Sequence, residues 1–337
     1  MSVSLANKFE ESLDKHTDED WSEVIAQLLP AIHEVDRTAT QIWFRFYPIA
    51  LLRALEQAED PERLAAQLLL QGDYYLKDQI DSSHKFLYGH RFWPEVKRAV
   101  IERAASFTES NTDLASEIRE IAKRAAAAAK VEEALLTGIT AVALMTLQHV
   151  GLEAFKASPG KVLINERRAR RNPEQVLKER ARDDSQGLFG FLKTVDKEWT
   201  ITYDETDASA KYRMKNATDL AYGAAQDQSK DWRAVDPRRI EGPIPVECRS
   251  ASCGTCWVGV LGGAEKLSDV ARLEGKRIKE FGYIQTDEPK PLIRLACQAQ
   301  VSGAVSIVIP PWNGVYGKYL RSLEEEGAQA AEGNSEN

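Results

Sequence analysis

The sequence lacks the motifs that bind nucleotides. No G-x-G-x-x-G opens a strand-helix unit and no P-loop is present, so neither a dinucleotide site nor a nucleotide phosphate site is visible. This excludes a self-contained flavin or NAD reductase. The sequence also has no excess of basic residues. Its 44 lysines and arginines are outnumbered by 52 aspartates and glutamates, which gives a net charge of −8. Phosphate binding needs a basic face, so we do not expect the chain to bind nucleic acid.

The sequence also lacks an export signal and a continuous apolar span. The N-terminus has no apolar segment and becomes acidic by Glu10, unlike a signal peptide. The most apolar stretch, residues 134–152, is interrupted by threonine, glycine, glutamine and histidine, and its apolar runs are far shorter than the roughly 18 residues of a membrane helix. We interpret this stretch as the central helix of a helical bundle. No transmembrane segment is predicted, and a cytoplasmic protein is expected.

The first half of the chain shows helical patterning and few strand patterns. Apolar residues recur with a 3.6-residue period over residues 21–32 and 42–55, and Pro48 is predicted to kink the second of these helices. Further helices are predicted over 61–70, 93–107, 112–130 and 132–155. The sequence therefore predicts an all-helical domain over residues 1–160.

Two histidines lie in an aromatic-rich segment between predicted helices, at residues 81–94. One interpretation is a binding site in which His84 or His90 acts as a ligand or proton donor. The other is a connection whose aromatic side chains fill the core and whose histidines cap helices. A spacing of six residues does not place two side chains on one helical face, and we favour the second interpretation.

No cysteine precedes position 248, and the four cysteines are Cys248, Cys253, Cys256 and Cys297. Their order, C-x4-C-x2-C…C, is the ligand spacing of plant-type [2Fe-2S] clusters. Such a cluster needs four thiolates because each of its two irons completes a tetrahedral sulfur shell, and the count leaves no cysteine over. A zinc site more often has two short C-x2-C pairs, of which this chain has one. Disulfides would require an exported chain.

The stretch PVECRSASCGTC at 245–256 and the stretch RLACQA at 294–299 resemble the cluster-binding loop and the fourth-ligand segment of plant and bacterial [2Fe-2S] ferredoxins. The resemblance covers about residues 199–311. It implies a [2Fe-2S] cofactor in which Cys248 and Cys253 hold an outer iron, while Cys256 and Cys297 hold an inner one.

Small side chains in the loop let backbone N–H groups approach the sulfurs. The predicted cofactor-binding residues are Arg249, Ser250, Ala251, Ser252, Gly254 and Thr255. Two features depart from the family. Ala251 stands where these ferredoxins usually have glycine, and the 40 residues between Cys256 and Cys297 exceed the plant ferredoxin gap. The charged insertion at 265–287 is predicted to be helical and is either a docking surface peculiar to this protein or a solvated loop.

Alternating residues at 198–203 and 210–215 predict a β-hairpin, and residues 218–232 are predicted to be helical. By the resemblance, these segments are the opening hairpin and crossing helix of a β-grasp fold. Its later strands are then residues 257–260 and 305–309.

Composition divides the chain into four parts. Residues 1–160 are the helical domain. Residues 161–189 include the basic run from Arg167 to Arg171 and are interpreted as a solvated linker, with attraction for an acidic partner or nucleic acid as the alternative. Residues 190–320 are the ferredoxin-like domain. Residues 321–337 are acidic and rich in small side chains, which predicts a disordered tail.

The predicted architecture is therefore α+β, with an all-helical domain followed by a β-grasp [2Fe-2S] ferredoxin domain. The resemblance implies a one-electron carrier between a donor reductase and an acceptor oxidoreductase, and no catalytic residue is predicted. The helical domain is interpreted as a docking or oligomerisation module. The alternative is a redox enzyme whose helical domain binds a cofactor or substrate that the cluster supplies with electrons.

Overall fold

The computed structural model describes residues 5–107, 113–162, 164, 166–180, 182, 197–281 and 290–315. In chain order its helices are α1 (Leu5–Leu13), α2 (Asp18–Leu28), α3 (Glu34–Phe46), α4 (Ile49–Gln57), α5 (Pro61–Gln67), α6 (Trp93–Ala105), α7 (Leu114–Ala129), α8 (Ala134–Val150), α9 (Leu152–Ala157), α10 (Glu166–Ala169), α11 (Pro173–Arg180), α12 (Leu220–Ala225), α13 (Trp232–Val235) and α14 (Arg272–Phe281). Its strands are β1 (Gln71–Gly72), β2 (Glu198–Thr202), β3 (Lys211–Lys215), β4 (Trp257–Gly262), β5 (Ile293–Leu295), β6 (Val305–Val308) and β7 (Trp312–Asn313). The predicted tail at 321–337 lies outside the described residues.

The chain separates into two compact units. The first, the helical unit, comprises residues 1–52, 75–179 and 205–208. The second, the sheet unit, comprises residues 53–74, 180–204 and 209–337. An N-terminal helical region is thus confirmed, while the predicted boundaries near 160 and 190 stay predictions.

Helix α8 forms the centre of the helical unit. Every residue from Leu136 to Leu147 is buried, and the helix packs against α1, α3, α6 and α7. A helix that is apolar nearly all round is stable in this position because neighbouring helices cover every face. The prediction of a central bundle helix is confirmed. Among the described helices, none has the length and apolar character needed to cross a membrane.

The helix predicted over 42–55 is interrupted where a kink was expected. Helix α3 ends at Phe46 and α4 begins at Ile49, because Pro48 lacks an N–H and disfavours helical geometry at the residue before it. The carboxylate of Asp18 accepts hydrogen bonds from the N–H groups of Ile49 and Ala50, each at 2.8 Å. The break therefore starts a new, capped helix.

The described part of the basic segment packs within the helical unit. The guanidinium of Arg91 donates to the carbonyl oxygens of Arg168 at 3.3 Å, Ala169 at 3.4 Å and Arg171 at 2.9 Å. The hydroxyl of Tyr88 also donates to the Arg171 carbonyl, at 3.1 Å. These bonds hold the carbonyl end of α10, where a cation is favourable.

The sheet unit contains a five-stranded mixed sheet with the order β3-β2-β6-β4-β5. Strands β2 and β3 form the predicted antiparallel hairpin, with Trp199 opposite Met214. Strand β6 lies parallel to β2 and antiparallel to β4, and β4 is antiparallel to β5. The predicted hairpin is confirmed.

The single helix predicted over 218–232 is wrong. Two short helices, α12 and α13, occupy this region. Between them, the carboxylate of Asp227 accepts from the N–H of Ser229 at 3.0 Å, and Asp231 accepts from the N–H of Ala234 at 3.3 Å. Aspartate side chains that bond to nearby backbone groups compete with helix hydrogen bonds and favour turns and caps.

Candidate metal centre

The pairing of β4 with β5 brings Cys297 beside the cysteine loop. Trp257, at the start of β4, lies opposite Leu295, and the N–H of Ala296 donates to the carbonyl oxygen of Cys256 at 2.8 Å. This register closes the long gap between the third and fourth cysteines. The insertion therefore leaves the sheet between β4 and β5 without separating the predicted ligands.

The four cysteines form two pairs of thiols. All four are free, with Cys248 and Cys253 partly exposed and Cys256 and Cys297 buried. Cys248 lies beside Cys253, and Cys256 lies beside Cys297, so that in each case one thiol shifts the pKa of the other. These are the pairs that the ferredoxin resemblance assigns to the outer and inner irons. The assignment of each cysteine to an iron stays a prediction.

One thiol in each pair ionises readily. Burial alone raises the pKa of Cys248, but hydrogen bonds from Ser252, Ser250 and Cys253 outweigh it and lower the pKa to about 6. The hydrogen bond from Cys256 lowers the pKa of Cys297 to about 7, against the effect of burial. The same bond raises the pKa of Cys256, and burial raises that of Cys253. Thiolate is the form that ligates metal.

Backbone and side-chain donors surround the sulfurs. The N–H groups of Ser252 and Ser250 lie 3.3 and 3.5 Å from the Cys248 sulfur. The Thr255 hydroxyl oxygen lies 2.9 Å from the Cys253 sulfur, and the Gln298 amide nitrogen lies 3.5 Å from the Cys297 sulfur. Such donors stabilise negative charge on the sulfurs and tune the potential of iron-sulfur clusters. The sequence analysis missed Gln298, although it stands next to Cys297.

The loop keeps its turn although Ala251 replaces the usual glycine. Ala251 has a φ of 57° and Arg249 a φ of 54°, both in the left-handed region, and Gly254 has a φ of 74°. A left-handed conformation costs a residue with a side chain roughly 1–2 kcal/mol. After the Cys256 thiol and the Gln298 amide, the Ala251 N–H is a further group that lowers the pKa of Cys297. The side chain of Arg249 instead forms an ion pair with Glu241.

The insertion is anchored at α14. Glu274 and Arg294 form an ion pair that is almost fully buried, with solvent exposure of 0% and 1%. Ile278 is buried on the same helix, while Leu273 is exposed. The predicted helix is thus found only over Arg272–Phe281 within the described residues 265–281, with one face packed and one in solvent; residues 282–289 lie outside the described residues.

His84 and His90 bond to each other in the core of the helical unit. Their Nδ1 atoms lie 2.9 Å apart, and the Trp93 ring packs against His84 at a tilt of 45°, with ring centroids 4.0 Å apart. Burial lowers the pKa of both, that of His90 to about 4. The aromatic side chains fill the core as expected, the histidines pair with each other, and His84 Nε2 lies 3.2 Å from the carbonyl oxygen of Ile80. In the described chain, no three histidine, cysteine or acidic side chains converge to hold a single metal ion.

Residues 236–302 match the family model of the 2Fe-2S iron-sulfur cluster binding domain. No solved structure matches the chain. The donor set fits the cofactor, because four thiols lie in two pairs beneath N–H and hydroxyl donors, as a sulfur-ligated cluster requires. The matched region spans the cysteine loop, α14 and Cys297. Residues 236–302 therefore belong to the 2Fe-2S iron-sulfur cluster binding domain family, and this part of the chain binds a [2Fe-2S] cluster.

Proposed function

We propose that the chain is a one-electron carrier that receives an electron from a reductase and passes it to an acceptor oxidoreductase. The observation that carries this proposal is the meeting of four free cysteines, three on the loop and Cys297 beside it, with hydrogen-bond donors at their sulfurs. When bound, a [2Fe-2S] cluster takes up and releases a single electron. The chain's own residues position the sulfurs and stabilise their negative charge.

We propose that electrons enter and leave on the side of Cys248 and Cys253. These two cysteines are partly exposed, whereas Cys256 and Cys297 are buried. Exposure of one end of the site shortens the distance to a partner protein, while burial of the other end excludes water. Electron transfer of this kind requires no acid, base or nucleophile.

We further propose that the five-stranded sheet is a β-grasp ferredoxin fold. The support is its hairpin β2–β3, the helix α12 that follows, and the return of β6 parallel to β2. Fold and cofactor agree with a carrier, but fold alone does not identify the partner.

For residues 1–160 we propose a docking or oligomerisation role. The support is that the described residues there make a packed helical core. The two histidines bond to each other and His84 also bonds to the Ile80 carbonyl, while every residue of α8 from Leu136 to Leu147 is buried. The alternative, an enzyme whose helical domain holds a further cofactor, predicts absorption bands beyond those of the cluster. A cytoplasmic location and a solvated linker at 161–189 stay predictions.

The test uses the full-length protein purified without oxygen. We expect two irons and two labile sulfides per chain, as the resemblance implies, and a rhombic electron paramagnetic resonance signal on reduction. Mixed with a ferredoxin reductase and NADPH, the protein should then transfer electrons to cytochrome c. Stoichiometric zinc without sulfide would overturn the cluster assignment. A cluster that cannot exchange electrons with either protein would contradict the carrier function.

A further inference from the structure

A short segment from the first quarter of the sequence is built into the sheet unit. This segment, residues 68–73, is called the strap below. Its strand β1 pairs with β7, with Gln71 opposite Asn313 and Gly72 opposite Trp312. On either side, the N–H of Asp73 donates to the Pro311 carbonyl at 2.9 Å, and the N–H of Val315 donates to the Leu68 carbonyl at 2.7 Å. The strap is therefore joined to the end of the sheet unit by a continuous set of backbone bonds.

The backbones of the strap and of β7 approach so closely that a side chain at Gly72 or Gly314 would meet its neighbours at short distance. Gly72 has a φ of 82°, and a Cβ at this position would lie 2.5 Å from the Pro311 carbonyl oxygen. A Cβ on Gly314, at the other side of the pairing, would lie 2.5 Å from the Leu70 side chain. Such close approach is a standard reason for glycine in paired backbone.

Arg238 holds the partner strand in place. Its guanidinium donates to the Asn313 side-chain oxygen at 2.7 Å and to the Pro310 carbonyl at 3.2 Å. It also forms an ion pair with Asp236 at 2.7 Å. Planar donors of this kind fix geometry at several points. Strand β7 is thus held in two ways. The strap pairs with its backbone, and Arg238 bonds to the Asn313 side chain and to the Pro310 carbonyl that precedes the strand.

The strap reaches one end of the cysteine loop directly and the other end through its strand partner Trp312. The Gln71 amide donates to the Glu247 carboxylate at 3.1 Å, and Glu247 directly precedes Cys248. Opposite Gly72, the Trp312 ring packs edge-on against Trp257 at 5.4 Å, and both rings are fully buried. Trp257 directly follows Cys256. One contact therefore lies before the first cysteine of the loop, and the other lies after the third.

We propose that the strap is a positioning element for the cluster-binding loop, acting through Glu247 at one end and through Trp312 and Trp257 at the other. The strap acts on the loop from outside the span between Cys248 and Cys256, at Glu247 and, through Trp312, at Trp257. It limits the movement of the loop between Cys248 and Cys256, and so keeps the thiol pairs in register. This role rests on the proposed function, because it concerns the loop that binds the cluster.

The test compares the full-length protein with Gly72→Ala and with Gly151→Ala. Gly151 is a matched control, because it also has a positive φ, 77°, but lies in the helical unit next to Glu10. Gly72→Ala should speed loss of the visible cluster spectrum to an iron chelator by about tenfold, the lower end of the effect of residues that orient metal ligands. Gly151→Ala should leave this rate at the wild-type value.

A milder pair of variants covers the case in which Gly72→Ala does not fold. Gln71→Ala removes only the bond to Glu247, and Gln67→Ala removes an exposed amide one turn earlier, on α5. Gln71→Ala alone should speed cluster loss, and it should have no further effect in a Glu247→Ala background.

Hydrogen exchange of residues 245–258 in the cluster-free protein tests the role of the strap separately from the proposed carrier function. Faster exchange in Gly72→Ala than in Gly151→Ala supports the strap even if the cluster or carrier assignment fails. Equal exchange in Gly72→Ala and Gly151→Ala, together with equal rates of cluster loss in Gln71→Ala and Gln67→Ala, would overturn the positioning role of the strap. The proposed carrier function would be unaffected.

Discussion

Glu274 and Arg294 meet in a two-point ion pair from which solvent is excluded. The Arg294 Nε atom lies 2.8 Å from one carboxylate oxygen, and Nη2 lies 2.9 Å from the other. The first oxygen also accepts the N–H of Leu295 at 2.9 Å, and Arg294 donates to the Ser268 carbonyl at 2.7 Å. The pair ties the helix of the insertion to the strand that leads into Cys297.

Glu274→Gln should strongly destabilise the sheet unit, because it leaves the Arg294 charge buried without its partner. We expect a loss of about 3 kcal/mol in the free energy of unfolding, measured by denaturant titration, together with faster cluster loss. Asp269→Asn is the control. In the Asp269–Lys290 pair, at 2.9 Å, Asp269 is largely exposed and Lys290 partly exposed, and exposed pairs contribute about 1 kcal/mol or less. Equal effects of the two variants would contradict an anchoring role for the buried pair.

Ala251→Gly should preserve the cluster and stabilise the loop by up to about 1 kcal/mol, because glycine adopts the left-handed conformation without steric cost. Ala251→Val should reduce the iron and sulfide content sharply, since a branched side chain disfavours a φ of 57° and the site is buried. The control is Ala271→Val at an exposed position with ordinary φ. Full cluster content in Ala251→Val would show that the loop has another conformation.

The reduction potential should be low, on the order of −400 to −200 mV, because no histidine replaces a cysteine to raise it. Redox titration of the full-length protein, followed by electron paramagnetic resonance, measures it. Gln298→Leu should shift the potential to a more negative value, since it removes a donor near the Cys297 sulfur. A midpoint above about 0 mV would contradict ligation by four cysteines.

Replacement of glycine by alanine should lower the thermal stability of the protein in helix α8 and raise it in helix α14. In α8, a Cβ on Gly138 would lie 2.4 Å from the Thr40 hydroxyl oxygen, and overpacking costs about 1–3 kcal/mol. In α14, a Cβ on Gly275 would lie 3.4 Å from Val270, an ordinary contact, and alanine is the better helix former by about 1 kcal/mol. Thermal unfolding should therefore occur earlier in Gly138→Ala and later in Gly275→Ala.

The helical unit should lose stability as the pH falls from 7 to 5. Burial, with a smaller contribution from Arg168, lowers the pKa of His90 to about 4 from an ordinary value of 6.5. Between these values the unfolded chain binds more protons than the folded chain, so protonation favours unfolding, at a cost of about 2 kcal/mol at pH 5.

Urea unfolding followed by circular dichroism at the two pH values measures this loss. His90→Asn should reduce the pH dependence because it removes the titrating group. If the unfolding free energy of this variant falls with pH as steeply as that of the wild type, groups other than His90 cause the loss of stability.

Local patterns determined the helical unit and the ligand set. A long apolar stretch predicts α8 wherever its neighbours lie, and an alternating pattern predicts the β2–β3 hairpin because both strands are adjacent in sequence. The spacing of three cysteines within nine residues, from Cys248 to Cys256, carries the cluster assignment without any tertiary information. Such signals need only the residues within one element or one turn.

The tertiary structure alone decided which distant residues support the site. Strands of two residues, such as β1 and β7, have no periodicity to detect, and their pairing is made by backbone groups that every sequence possesses. The Glu274–Arg294 pair and the His84–His90 pair join side chains whose distance in the fold cannot be read from their separation along the chain. The conformation of Ala251 is likewise imposed by surrounding contacts against its own preference. The sequence therefore names the ligands, whereas long-range packing determines how firmly they are held.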